Sequence, residues 1–147
     1  MAEDDVEQLA RIFEREVPEI ADGTVVIKAI ARKPGLRAKL ALHTSDPKVD
    51  CIAVCVGVRG HRIKNIVEEL GGVERIDLVR WDTNLESFIS IALQPACVEQ
   101  VIVRAAEHRA TVIVKEDNLS LAMGRRGVNR ELASQLCGWD IEILTRP

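Results

Sequence analysis

The sequence predicts an α+β fold: two tandem copies of one α-β-β-α-α-β unit, residues 1–81 and 84–147, packed as one rigid unit. Three observations carry this expectation. The glycine pairs Gly57-Val58-Arg59-Gly60 and Gly124-Arg125-Arg126-Gly127 lie 67 residues apart in a chain of 147. Each pair interrupts an apolar helical pattern and is followed by a basic helix start, a leucine, a glycine and a strand-like segment. Only Asp82-Thr83 separates the copies, with no Gly/Ser linker. A lone GxxG is weak, because most such pairs are simple turns, but a GxxG repeated inside a repeated frame is far more specific. Each copy is small enough to be marginal alone, which favours a close-packed pair.

In the first copy, Val6, Leu9, Ala10, Phe13 and Val17 follow helical spacing, so a helix is expected over about 3–16, stopped near Pro18. Thr24 to Arg32 and Leu36 to Thr44 are β-rich runs around Lys33-Pro34-Gly35, a hairpin signal. Ser45-Asp46-Pro47 breaks the chain, and Asp50 is placed to N-cap a short helix over 51–56. Past the first GxxG a helix runs to about Leu70, Gly71-Gly72 stops it, and Glu74 to Trp81 reads as a strand.

The second copy repeats the order. Asn84 to Leu93 is helical and ends before Pro95. Val98 to Ala105 and Thr111 to Lys115 form a hairpin around Glu107-His108-Arg109. Asp117 or Asn118 caps a short helix through Met123, a longer helix runs from Val128 to Leu136 with Gly138 as its stop, and Trp139 to Thr145 is the last strand.

Composition is ordinary for a globular chain, 47% hydrophobic and 29% charged. No apolar run is long enough to span a bilayer, and the acidic start Met1-Ala2-Glu3-Asp4-Asp5 is unlike a signal peptide, so a cytoplasmic protein is expected. Cys51, Cys55, Cys97 and Cys137 include no CxxC pair, and His43, His61 and His108 have no ligand spacing. Core thiols are favoured and no metal or cofactor is expected; a Cys97–Cys137 disulfide would require the unusual cytosol of a hyperthermophile.

The net charge of −3 hides a division: eight acids against two arginines in residues 1–22 leave a net of +3 on the rest. Arg59, His61, Arg62 and Lys64 follow the first glycine without an acid, and Arg125, Arg126 and Arg130 follow the second. Positive charge is therefore concentrated at the glycines, the footprint of an anionic polymer. Glycine lets the main chain turn tightly and lets a ligand approach the backbone, while the following helix offers unpaired N–H groups and a positive dipole end. Arginine adds bidentate phosphate contacts. The expected RNA-binding set is Gly57, Val58, Arg59, Gly60, His61, Arg62 and Lys64 in copy one, and Gly124, Arg125, Arg126, Gly127, Asn129 and Arg130 in copy two. Ile63 and Ile66 are expected to wall an apolar groove for bases.

Other chemistries fit poorly. Neither glycine pair matches GxxxxGK[ST] or GxGxxG. The serines lack a nucleophile-elbow context, Asp77 and Asp82 read as solvated, and no catalytic constellation is present, so an enzyme and a small-molecule substrate are not expected. Phe13, Phe88, Trp81 and Trp139 are the only aromatics, too few for a base-stacking sheet; the tryptophans are expected at the ends of terminal strands.

The element order resembles the type II KH domain, whose GxxG loop clamps about four nucleotides of backbone. Three segments resemble the tandem KH region of NusA-type transcription factors more specifically: Asp50 to Gly60, Glu69 to Asp82 and Leu132 to Trp139. The bacterial members carry an N-terminal polymerase-binding domain and an S1 domain that nothing here matches, so the resemblance is to the short archaeal type, two KH domains alone. It implies a single-stranded RNA-binding elongation or termination factor, with RNA polymerase or other transcription proteins as partners and no membrane. Val58 departs from the pattern, because a polar residue there would hold phosphate better. The alternatives are a docking module on polymerase or ribosome, and a KH protein of ribosome assembly or RNA decay.

Overall fold

The computed structural model describes residues 4–146; Glu3, where the first helix was expected to begin, lies outside them. The described residues form two compact units that meet in sequence between Trp81 and Asp82.

The first unit opens with α1 (Asp5–Glu16), N-capped by Asp4, whose carboxylate accepts from the Val6 and Glu7 amides. Pro18 does not merely stop this helix. It starts a second short one, α2 (Pro18–Ala21), because a residue without an N–H costs nothing in a first helical turn. Strands β1 (Val25–Lys33) and β2 (Arg37–Thr44) form the expected hairpin, with a bulge between Ile27 and Ala29. Helices α3 (Cys51–Val56) and α4 (His61–Glu69) flank the first glycine pair, and β3 (Arg75–Arg80) returns parallel to β2. The sheet order is β1-β2-β3.

Alternation along β2 decides what its two faces do. Ala38, Leu40 and Leu42 pack into a core with Leu9, Ile12, Phe13, Cys51, Cys55 and Ile66. The opposite parity carries Arg37, Lys39 and Ala41, all buried as well. Asp77 on β3, expected to be solvated, joins this face instead: its carboxylate takes Arg37 at 2.7 Å and Lys39 at 2.9 Å. A buried cation needs a partner, and the β2/β3 register sets Lys39 directly opposite Asp77.

The second unit contains α5 (Leu85–Ala92), β4 (Gln100–Arg104), β5 (Arg109–Val114), α6 (Leu119–Met123), α7 (Val128–Cys137) and β6 (Asp140–Thr145), with sheet order β4-β5-β6. β4 and β5 are antiparallel and β6 is parallel to β5, the pattern of the first sheet. Phe88, Ile89 and Leu93, Val112 and Val114, and Leu132 and Leu136 supply much of its buried apolar surface. Asn118 precedes α6 as expected, but its side chain makes no cap; Oδ1 accepts from the Cys97 amide at 2.8 Å. Trp81 follows β3 and contacts His43, while Trp139 precedes β6 and stacks on His108 with centroids 4.0 Å apart.

Cys51 and Cys55 are buried, Cys97 is exposed, and no disulfide joins the four cysteines. Among the described residues no helix is long and apolar enough to cross a membrane.

Candidate nucleic-acid interface

Each glycine pair is delivered by a short helix that cannot continue. α3 ends at Gly57 with φ 80° and ψ 172°, and α6 ends at Gly124 with φ 74° and ψ 176°. A Cβ on Gly57 would stand 2.8 Å from Cγ of Arg62, and one on Gly124 would stand 2.7 Å from Cβ of Asn129. Both positions therefore require glycine twice over, for the dihedral and for the space. The chain then makes one tight turn. Arg59 and Arg126 sit in the left-handed region, as do Gly60 at φ 72° and Gly127 at φ 76°. The two loops are the same conformation written in different side chains.

The turn hands the chain to α4 and α7 with glycine as N-cap and no side-chain cap bond at either. Helices α1, α3 and α5 are instead capped by Asp4, Asp50 and Asn84. In place of a side-chain cap, the first amide of each helix closes the turn, His61 onto the Val58 carbonyl and Val128 onto the Arg125 carbonyl. Arg59 and Arg126 lie at these helix starts, exposed, together with Arg125, His61 and Lys64. Val58 is 82% exposed. His61 Nε2 lies 3.3 Å from Asn65 Nδ2.

Four residues of the expected set are placed elsewhere. Arg62 turns back beneath its loop, donating from Nη1 to the Val54 carbonyl at 2.7 Å and to Glu19 Oε1 at 2.9 Å. Asn129 is wholly buried, with Nδ2 donating to the carbonyls of Ala122 at 2.9 Å and Leu93 at 3.1 Å. It cannot reach a ligand at the surface. Arg130 donates to the Ile141 carbonyl at 3.1 Å, anchoring α7 to β6. Ile66 belongs to the core rather than to a groove wall, as the buried residue by which α4 is anchored, while Ile63 stays partly buried. Of the four, Asn129 and Ile66 are buried, whereas Arg62 and Arg130 remain partly exposed while making these inward bonds.

Glu19 was not legible as part of this region. It lies 43 residues from Arg62, and no local pattern joins them. Beside loop one is a depression of about 410 Å³ lined by Val49, Ala53, Val54, Gly57, Val58 and Arg62, among others. Asp50 caps α3 by accepting from the Ile52 and Ala53 amides and pairs with Arg80 at 2.7 Å. The Ala53 amide, with help from Arg80, holds this carboxyl below its ordinary range. Among the described residues no cluster of His, Cys, Asp and Glu is arranged to hold a metal ion.

The chain matches the family models of the NusA-like first KH domain over residues 3–81 and the NusA-like second KH domain over residues 85–147. It is 50% identical to the transcription termination/antitermination protein NusA of Bacillus subtilis over 92% of this chain and 36% of that protein. The protein of the same name from Rickettsia conorii is 42% identical over 96% of this chain and 28% of its own length. The chain thus spans about a third of the length of these relatives. Among solved structures, the crystal structure of APE1850 aligns over 95% of this chain and 96% of its own with a TM-score of 0.65, at 21% identity. That likeness concerns the fold.

Proposed function

The chain belongs to the family of NusA-like tandem KH domains, and from that premise we propose that it binds single-stranded RNA through both GxxG loops as part of a transcription elongation or termination factor. The observation that carries the reading is the pair of uncapped helix starts, each presented by the same glycine turn with an exposed arginine in the left-handed position. A phosphate there would meet the positive end of the helix dipole at a start that no side chain caps. Arg59, Arg125, Arg126 and Lys64 would pair with neighbouring phosphates, with His61 beside them. Backbone contacts of this kind position a strand and carry no sequence information by themselves. In this reading the chain is no enzyme. Its relatives are named for termination and antitermination, and contact with RNA polymerase or other transcription proteins in the cytoplasm belongs to the proposal.

Titration with single-stranded RNA at two salt concentrations tests it. Affinity should fall with log salt at a slope of about −0.7 per phosphate neutralised. Absence of binding to any single strand at low salt would sink the RNA reading. One observation favours a second one, a protein-docking role for the first domain: Val58, at the tip of its loop, is 82% exposed beside an apolar depression. An RNA titration in which Val58→Asp had no effect while polymerase capture was lost would support that reading.

A further inference from the structure

Five residues past the first glycine of each loop stands a side chain that does not project with the loop's arginines: Arg62 in the first domain, Asn129 in the second. Their chemistry differs, but their connections match. Arg62 reaches the Val54 carbonyl and the Glu19 carboxylate from one nitrogen, Nη1. Asn129 reaches the Ala122 and Leu93 carbonyls from one nitrogen, Nδ2. Val54 and Ala122 lie in the last turn of the short helix, where carbonyls have no intrahelical partner. Glu19 in α2 and Leu93 at the end of α5 both belong to the helical segment that opens their domain. So in each domain one nitrogen ties three things together: the opening helical segment, the end of the short helix, and the first turn of the helix after the loop. The same residue also packs on the loop glycine through its side-chain carbons and its backbone nitrogen, which is why a Cβ there has no room.

Two copies have reached the same three-way tie with an arginine and with an asparagine. A solvated arginine that happened to fold back would not reproduce the connections of a buried amide. We propose that Arg62 and Asn129 are positioning residues for the two GxxG loops, fixing the direction of the loop amides and arginines without touching the bound strand, with Glu19 a working part of the first tie. The consequence for RNA rests on the function proposed above; the tie itself does not.

The test uses the whole chain. Arg62→Ala should weaken single-stranded RNA binding about three- to tenfold, the worth of one to two lost hydrogen bonds, and leave the salt slope unchanged. Arg59→Ala, which removes a proposed phosphate contact, should lower that slope by about 0.7. Arg62→Lys should restore affinity, since one ammonium can donate to both acceptors. In RNA-free protein, the amide NMR signals of Val58, Arg59 and Gly60 should move in Arg62→Ala and return in Arg62→Lys. Glu19→Ala should bind RNA more weakly than Glu19→Gln, which is equally uncharged but keeps an acceptor. A lowered salt slope in Arg62→Ala, unmoved loop amides, or Glu19→Ala binding as well as Glu19→Gln would each overturn the tie. If the wild-type chain binds no RNA, the functional reading fails while the loop amides still decide the tie. If Arg62→Ala does not fold, the Glu19 pair gives the same readouts.

Discussion

Arg59 and Arg126 hold one backbone conformation, φ 55°, ψ 28° and φ 56°, ψ 27°, although one follows a valine and the other an arginine. The left-handed region costs a residue with a Cβ about 1–2 kcal/mol, and both domains carry that cost at an exposed position where glycine would fit. Replacing either arginine by glycine relieves the strain and gives back part of it as unfolded-state entropy. Arg126→Gly should therefore raise stability by about 0.5–1 kcal/mol while weakening RNA binding. Denaturant melts and RNA titration of the same sample check it, and a variant that loses both stability and affinity would show that the side chain supports the fold.

The two glycines of one loop are not equivalent. A Cβ at Gly124 meets the Asn129 Cβ and amide nitrogen at 2.7 Å, whereas one at Gly127 finds only the Met123 methyl at 3.9 Å. Backbone cannot give way as a methyl can. Gly124→Ala should cost about 1–3 kcal/mol more than Gly127→Ala, read from the shift in the urea midpoint. Equal costs would mean that the loop relaxes as a unit.

These contrasts explain what the sequence made legible. Hairpins, caps and stops are local: Lys33-Pro34-Gly35, Asp50 and Gly138 announce themselves within a few residues, and the repeat fixed the order of elements. The inward turn of Arg62 depends on Glu19, that of Asn129 on Leu93, and the pairing of Asp77 on Lys39 across the sheet. Such pairings between distant residues leave no periodic trace. Charge marked Arg62 without revealing its inward bonds, and apolar spacing made Ile66 look like a groove wall.

Lys39 and Asp77 supply a stability test. Burial pushes the Lys39 ammonium below its ordinary value of 10.5, partly offset by Asp77. The folded chain therefore releases this proton at lower pH than the unfolded chain does. Stability gains from it as pH rises through the interval between the lowered value and 10.5. Lys39→Met should remove that gain, visible as the difference between the two stability–pH curves, and should be near neutral around pH 7, since Asp77 keeps Arg37. Asp77→Ala removes the carboxylate that both buried cations contact and should cost about 3–5 kcal/mol. A mild Asp77→Ala would refute the pairing.

Cys55 offers a probe of opening. Burial pushes its thiol up to about 12, so at pH 8 it is almost wholly protonated and unreactive. Cys97 is exposed. Labelling with a thiol reagent at pH 8 should modify Cys97 first, and Cys55 only at the rate at which its domain opens, accelerating in urea. Rapid modification of Cys55 in native buffer would show that the first core is breached without unfolding.

The two loops should not contribute equally to RNA affinity. Loop two exposes Arg125 and Arg126 side by side, whereas loop one exposes Arg59 beside Val58. The expected reserve cations are also reduced: Arg62 is held by Val54 and Glu19, and Arg130 by Ile141, which leaves Lys64 and His61 to assist loop one. Neighbouring guanidinium groups can engage neighbouring phosphates, so the second loop should carry more of the electrostatic affinity. Arg125→Asp with Arg126→Asp should weaken binding more than Val58→Asp with Arg59→Asp, with both variants folded, because each glycine and its dihedral are untouched. The charge change is four units in loop two and three in loop one. Arg59→Ala and Arg126→Ala must therefore be compared as well, one charge each. The larger loss is expected for Arg126→Ala, with the salt slope falling by about 0.7 for the contact removed. A larger loss for Arg59→Ala would reverse the asymmetry, and no loss for either would remove the backbone clamp from the function.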